Sequence, residues 1–257
     1  MPVLFDWILV VLVAVVWPLF EYFWLWPRHV RAVEAGDPTA RSRVYAQTIF
    51  EQWGLTAAVL ALTFALARPL ASLGLRPPQG WISAVAITIT MAYAILIVLQ
   101  ARALARKPAT RARFRKRIQP LRALLPHTPG EFRRFILLSI TAGICEELLF
   151  RGYLVWVLQS LIGLWPAAIV SMVVFGLGHA YQGRAHAPRA FLAGVFLGLL
   201  ALGTRSILPD MALHALIDAG SGWVTHLAVR DGDDAEPAAK PDDLEVGPLA
   251  HEGSGLR

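Results

Sequence analysis

The sequence predicts an all-α fold: a polytopic bundle of about seven to eight transmembrane helices around an interior polar cavity. Three observations carry that expectation. Hydrophobic residues fill 56% of the 257 positions and charged residues only 16%, against an apolar share nearer ~45–50% in soluble domains, and the mean hydropathy is +0.53. Apolar windows recur that approach the ~20 residues needed to cross a bilayer. Ionisable residues, above all Glu146 and Glu147, interrupt the most apolar stretches. A carboxylate at membrane depth costs a few kcal/mol, so it is expected to face a bundle interior or a wet cavity and to serve a function.

Seven windows qualify as spans: residues 3–26, 52–67, 81–99, 135–150, 165–181, 189–202 and 207–229. The first carries Asp6 in place of a basic leader and lacks a small-residue cleavage site, so it reads as a retained span rather than a secretory signal. Pro18 marks a kink within it, and Glu21 is given no catalytic role. In the sixth window Gly194 and Gly198 form a small-xxx-small pair that lets helix backbones approach closely. The single cysteine, Cys145, permits no internal disulfide and reads as a small buried side chain.

These windows divide the chain into N-terminal transmembrane helices (1–100), a basic cytoplasmic loop (101–134), a catalytic transmembrane core (135–229) and a disordered acidic tail (230–257). The tail is too poor in apolar residues to fold alone. Residues 102–134 hold eleven Lys or Arg and one acid, Glu131. Basic residues beside spans mark the cytoplasmic side and attract anionic lipid head groups. Nucleic acid is not an expected partner, because the basic run from Arg102 to Arg122 is interleaved with a single aromatic, Phe114. The N-terminus is therefore expected outside. Arg28, Arg31, Arg41 and Arg43 lie in the first inner loop, against Arg68 and Arg76 in the opposite one. Pro129 and Gly130 punctuate the end of the basic segment, where Thr128 is placed to cap the next helix.

The polar residues of the core fall at helical spacings. Glu147 and Arg151 are four apart, in the favourable acid-before-base order. Glu146 projects about 100° away and is left for another partner. Phe175 and His179 share one helix face, and His214 and Asp218 share another. If these helices converge, their side chains form a hydrolytic set. Cleaving an amide needs an activated water, a proton for the leaving amine and donors for the oxyanion. Two mechanisms fit. In one, Glu146, His179 and His214 bind zinc, which generates a hydroxide. In the other, without metal or cofactor, Glu146 and His179 activate the water while His214 and Asp218 serve the oxyanion, with Glu147, Arg151 and Phe175 in support. No His-Glu-x-x-His box is present, which favours the second.

Glu146-Glu147-x-x-x-Arg151, Phe175-x-x-x-His179 and His214-x-x-x-Asp218, with the Phe-Arg-Gly run at 150–152, resemble the motifs of the CPBP family. That family comprises the type II CAAX prenyl endopeptidases and bacterial relatives linked to bacteriocin processing and self-immunity. The resemblance covers about residues 135–229. It implies an all-helical intramembrane endopeptidase in which Glu146 matches the catalytic glutamate, His179 the histidine that helps activate water, and His214 with Asp218 the oxyanion pair. Asp218 stands where the eukaryotic enzymes carry asparagine, and a carboxylate donates no hydrogen bond. The resemblance also implies a glutamate-dependent, metal-free reaction.

The Ala-, Arg- and Leu-rich composition looks like that of a GC-rich bacterium, so the expected location is a bacterial cytoplasmic membrane. The expected substrate there is a membrane-associated or lipid-flanked peptide rather than a prenylated CAAX protein. The rival reading is a non-catalytic membrane protein, a transporter or a bacteriocin-immunity binding factor, that uses the same residues for ion conduction or helix packing. One spatial question separates them. A helix entering from inside near Phe132 carries Glu146 about 21 Å inward at 1.5 Å per residue, whereas His179 falls near the inner end of its window. A tilted or broken fourth segment, continuing through 153–163, is required for the two to meet.

Overall fold

A computed structural model describes residues 1–118, 121–183 and 187–229. The tail expected at 230–257 lies outside the described residues. Helices follow one another along the chain, with no strand among the described residues. We number them α1 (Leu4–Glu34), α2 (Ala40–Ala65), α3 (Ile82–Arg106), α4 (Pro108–Ile118), α5 (Pro129–Glu146), α6 (Val155–Ile162), α7 (Leu164–Gly178), α8 (Ala187–Thr204) and α9 (Leu208–Val229). A π-helical stretch, Glu147–Leu154, joins α5 to α6 without a break. By length and composition, α1, α2, α3 and α8 can each cross a membrane.

The bundle is apolar outside and encloses a set of polar groups within an apolar core. Phe50, Trp81, Leu192 and Trp165 point outward, while Asp6, Glu131, Glu147, Asp210 and His214 are buried. Lipid tails supply little hydrophobic drive between helices, so packing and polar contacts must hold such a bundle together. At its centre stands the π-helical stretch, all eight of whose residues are buried, as befits a helix enclosed on every side. Leu149, Phe150 and Tyr153 pack there with Val13 of α1, Val59 of α2 and Phe175 of α7.

Two spans differ from the windows read in the sequence. The second begins at Ala40 instead of residue 52, because Arg41, Arg43, Gln47 and Glu51 depress the local hydropathy although the helix runs through them. Gln52 consequently sits mid-helix and buried, away from any span end. The fourth segment does not stop at residue 150 but continues to Ile162. The basic segment is also largely helical: α3 extends to Arg106, and α4 follows directly.

That longer fourth helix answers the depth question. It turns at Gly163, whose φ of 83° is left-handed backbone that glycine adopts without a Cβ penalty, and α7 runs back. In a hairpin, residues equidistant from the turn lie at the same level. Glu146 precedes Gly163 by 17 positions and His179 follows it by 16. Measured from the turn instead of from Phe132, the two fall at one depth.

Close approaches complete the core. A Cβ on Gly143 would come within 2.7 Å of the Met211 carbonyl oxygen and of Ala215, so α5 and α9 touch backbone to backbone just beside His214. On α8, a Cβ on Gly194 would meet the Phe175 ring at 2.6 Å.

Candidate active site

Local sequence places α5 firmly. Thr128 Oγ1 accepts from the Glu131 backbone N–H at 3.1 Å, and Glu131 Oε2 accepts from the Thr128 and His127 N–H groups at 3.0 and 2.8 Å. This capping box, with Pro129 at the first helical position, satisfies donors that would otherwise be orphaned. Glu146 closes α5 and Glu147 opens the π-helical stretch. Single π-turns inserted in α-helices recur at functional sites, and here the change of helical pitch falls between the two carboxylates.

Glu146 and Glu147 meet opposite nitrogens of His214 and otherwise face different partners. Glu147 Oε1 lies 3.2 Å from Arg151 Nη1 and accepts from His214 Nδ1 at 2.7 Å. Arg151 also donates through Nη2 to the Gly194 carbonyl at 3.0 Å and stands 4.0 Å over the Phe175 ring. Glu146 Oε1 accepts from Gln52 Nε2 at 2.7 Å. Its other oxygen, Oε2, lies 4.0 Å from His179 Nε2 and 3.9 Å from His214 Nε2 and has no hydrogen-bond partner within the protein. Asp218 Oδ2 lies 3.6 Å from His214 Nε2, at the more exposed edge of the group.

Both imidazoles are held by their second nitrogen. His179 Nδ1 lies 2.8 Å from the Phe175 carbonyl oxygen. A carbonyl only accepts, so that nitrogen carries the hydrogen. The Phe175 ring sits 4.5 Å from the His179 ring and 6.1 Å from that of His214, so one side chain braces Arg151 and both imidazoles. The structure thus brings together all seven residues singled out from the sequence: Glu146, Glu147, Arg151, Phe175, His179, His214 and Asp218.

The N-terminal helices also contribute to the site, which the motif spacings do not indicate. Gln52 touches Glu146 directly, and Glu51 beside it accepts from Trp17 Nε1 at 3.4 Å and from Gln47 Nε2 at 2.8 Å. Glu21, which the sequence does not mark as catalytic, lies within electrostatic reach of Glu51 and Glu146. The run Gln47, Glu51, Gln52 places polar groups at helical spacing next to an apolar stretch, and that signal was present in the sequence. Asp210, in the first turn of α9, is fully buried with neither carboxyl oxygen hydrogen-bonded; it faces Glu147, Arg151 and His214 electrostatically.

Among the described residues, no group of three or more His, Cys, Asp or Glu is arranged to hold a metal ion. A cavity of about 200 Å³ opens on the far side of the π-helical stretch, lined by Arg76, Gly152, Trp156, Gln159 and Arg205 among others. It shares only Arg151 with the site and does not reach Glu146 or the imidazoles.

No curated protein and no solved structure matches the chain. A family match nevertheless runs from the cap of α5 into α9 and encloses every motif residue, and together with the apolar helices it makes this an integral membrane protein. Residues 128–220 match the family described as Type II CAAX prenyl endopeptidase Rce1-like, so the resemblance read from the motifs holds over the segment that builds the site.

Proposed function

We propose that the protein is an intramembrane endopeptidase that hydrolyses a peptide bond of a membrane-associated protein or peptide, with water activated by Glu146 and His179. The observation that carries this reading is the convergence of Glu146 Oε2 on the Nε2 atoms of two imidazoles, at 3.9 and 4.0 Å. With Nδ1–H given to the Phe175 carbonyl, neutral His179 presents a lone pair at Nε2. Two acceptors 4.0 Å apart cannot bond to each other, but one water between them can donate to both.

The chemistry follows from that placement. As the water oxygen attacks the scissile carbonyl carbon, its proton passes to Glu146 Oε2 and the carbonyl electrons move onto oxygen. Collapse of the tetrahedral intermediate breaks the C–N bond, and Glu146 returns the proton to the leaving amine. His214 stands differently from His179. Its Nδ1–H is given to the Glu147 carboxylate, so Nε2 can donate to the oxyanion only as an imidazolium. Glu147, fixed by Arg151, and Asp218 at 3.6 Å flank that cation. Asp218 therefore acts through His214, because its carboxylate has nothing to donate.

This route uses no metal and no cofactor. The alternative, zinc on Glu146, His179 and His214, would need these donors within about 2.2 Å of one ion. The substrate we propose is a lipid-flanked or membrane-associated peptide in a bacterial cytoplasmic membrane. The Arg-rich α4, with Arg111, Arg113, Arg115 and Lys116, would lie against anionic head groups.

The test compares membrane peptides from cells carrying the intact protein with those from cells carrying Glu146→Gln at equal abundance. Products that vanish in the variant support the assignment. Products that persist unchanged remove it and return the site to a packing or ion-conducting role.

A further inference from the structure

We propose that Gln52, on α2 and outside the family-matched segment, is a positioning residue of the site: its amide anchors Oε1 of Glu146 and so presents Oε2 to the imidazoles. The inference rests on the endopeptidase reading above and adds a residue from the N-terminal helices to that machinery.

Four observations support it. Gln52 Nε2 donates to Glu146 Oε1 at 2.7 Å, within the short range of charge-assisted bonds. The orientation of the amide is dictated by its partner, since a carboxylate offers only acceptors and the amide must turn its N–H toward it. Gln52 is 1% exposed, so water does not compete for that bond. Finally, the two oxygens of Glu146 are unlike: Oε1 is bonded to Gln52, and Oε2 has no partner in the protein and faces both Nε2 atoms.

The backbone that carries Gln52 is itself held. Trp53 Nε1, on the next residue, donates to Thr141 Oγ1 of α5 at 3.2 Å, five positions before Glu146. The amide and the carboxylate therefore belong to two helices pinned to each other. A carboxylate without the Gln52 bond could swing about its side-chain torsions, and a displacement near 1 Å at a reacting group can cost about 10²-fold in rate. A donor on Oε1 also leaves Oε2 as the oxygen with open capacity for the water's proton. Gln52 touches neither water nor peptide and works only through Glu146.

The experiment uses the full chain in lipid nanodiscs. Gln52→Met keeps the side-chain length and deletes the donor, and Gln52→Asn keeps an amide on a shorter arm. The first readout is the infrared carboxylate band of Glu146, identified by its loss in Glu146→Gln. The second is the turnover of a peptide found by the Glu146→Gln comparison, separated into kcat and KM. We expect the Glu146 band to move in Gln52→Met, kcat to fall at least about tenfold with KM little changed, and Gln52→Asn to recover part of both. A Glu146 band that does not move in either variant overturns the proposal, as does an equal loss of turnover in both variants with no band shift. If Gln52→Met does not accumulate, the band in Gln52→Asn decides alone. A band that moves while no peptide depends on Glu146 would retain the anchoring contact and refute the endopeptidase reading.

Discussion

Replacing Arg151 with methionine tests the division of labour between the two glutamates. Methionine keeps much of the length and removes the guanidinium. Three contacts go with it: the pair with Glu147 Oε1 at 3.2 Å, the hydrogen bond to the Gly194 carbonyl at 3.0 Å, and the stacking over Phe175 at 4.0 Å. Glu147 has a fully buried side chain and Arg151 one that is 3% exposed, so solvent cannot compensate. Removing one member of such a pair strands the other charge and costs about 3–5 kcal/mol. Removing both, in Glu147→Gln/Arg151→Met, leaves no carboxylate without its guanidinium, and His214 keeps an amide oxygen to donate to and Asp218 at 3.6 Å. The double variant should therefore be more stable than Arg151→Met alone, with a coupling energy on the order of 1–3 kcal/mol. Reversible unfolding of the purified protein in mixed micelles measures all four corners of the cycle. Additive losses, or an Arg151→Met variant within about 1 kcal/mol of the parent, would refute the idea that these groups form one buried unit.

Further outcomes follow from the same geometry. Gly143→Val should destabilise by about 1–3 kcal/mol or more, because its side chain must push α9 away at Met211 and Ala215; unfolding in micelles checks this, and a neutral result would deny the close approach. Asp6 binds Arg68 through both carboxyl oxygens, at 2.7 and 2.8 Å, and accepts from Tyr153 at 2.8 Å. Asp6→Ala should therefore loosen α1 from the central helix, at about 1.5–3 kcal/mol for each charged hydrogen bond lost and not regained from solvent, read as faster hydrogen exchange in residues 4–11. Chelation should leave peptide cleavage unchanged, and metal analysis of the purified protein should find far less than one zinc per chain.

Six of the seven site residues were legible because each sits one helical turn from a partner on the same segment, Glu147 with Arg151, Phe175 with His179 and His214 with Asp218, and Glu146 was legible as a second carboxylate in an apolar stretch. Such pairs need no knowledge of tertiary structure. Gln52 was not legible in that way, since its partner is on another helix and the polar turn before it shifted the predicted start of the span. The π-helical stretch was equally hidden, because a local change of pitch depends on how side chains pack around it rather than on periodicity. The apparent mismatch in depth between Glu146 and His179 came from ending the fourth span at residue 150. Counting outward from Gly163 places both at one level from the sequence alone, once that glycine is taken as the turn.

Isotopic water tests the central claim most directly. Membranes containing the intact protein, incubated in ¹⁸O-enriched water, should yield peptide products whose newly formed C-terminal carboxyl carries ¹⁸O, and membranes with Glu146→Gln should yield none of these products. Products that form equally in the variant, or that form without the heavy isotope, would contradict an account in which Glu146 directs water onto an amide.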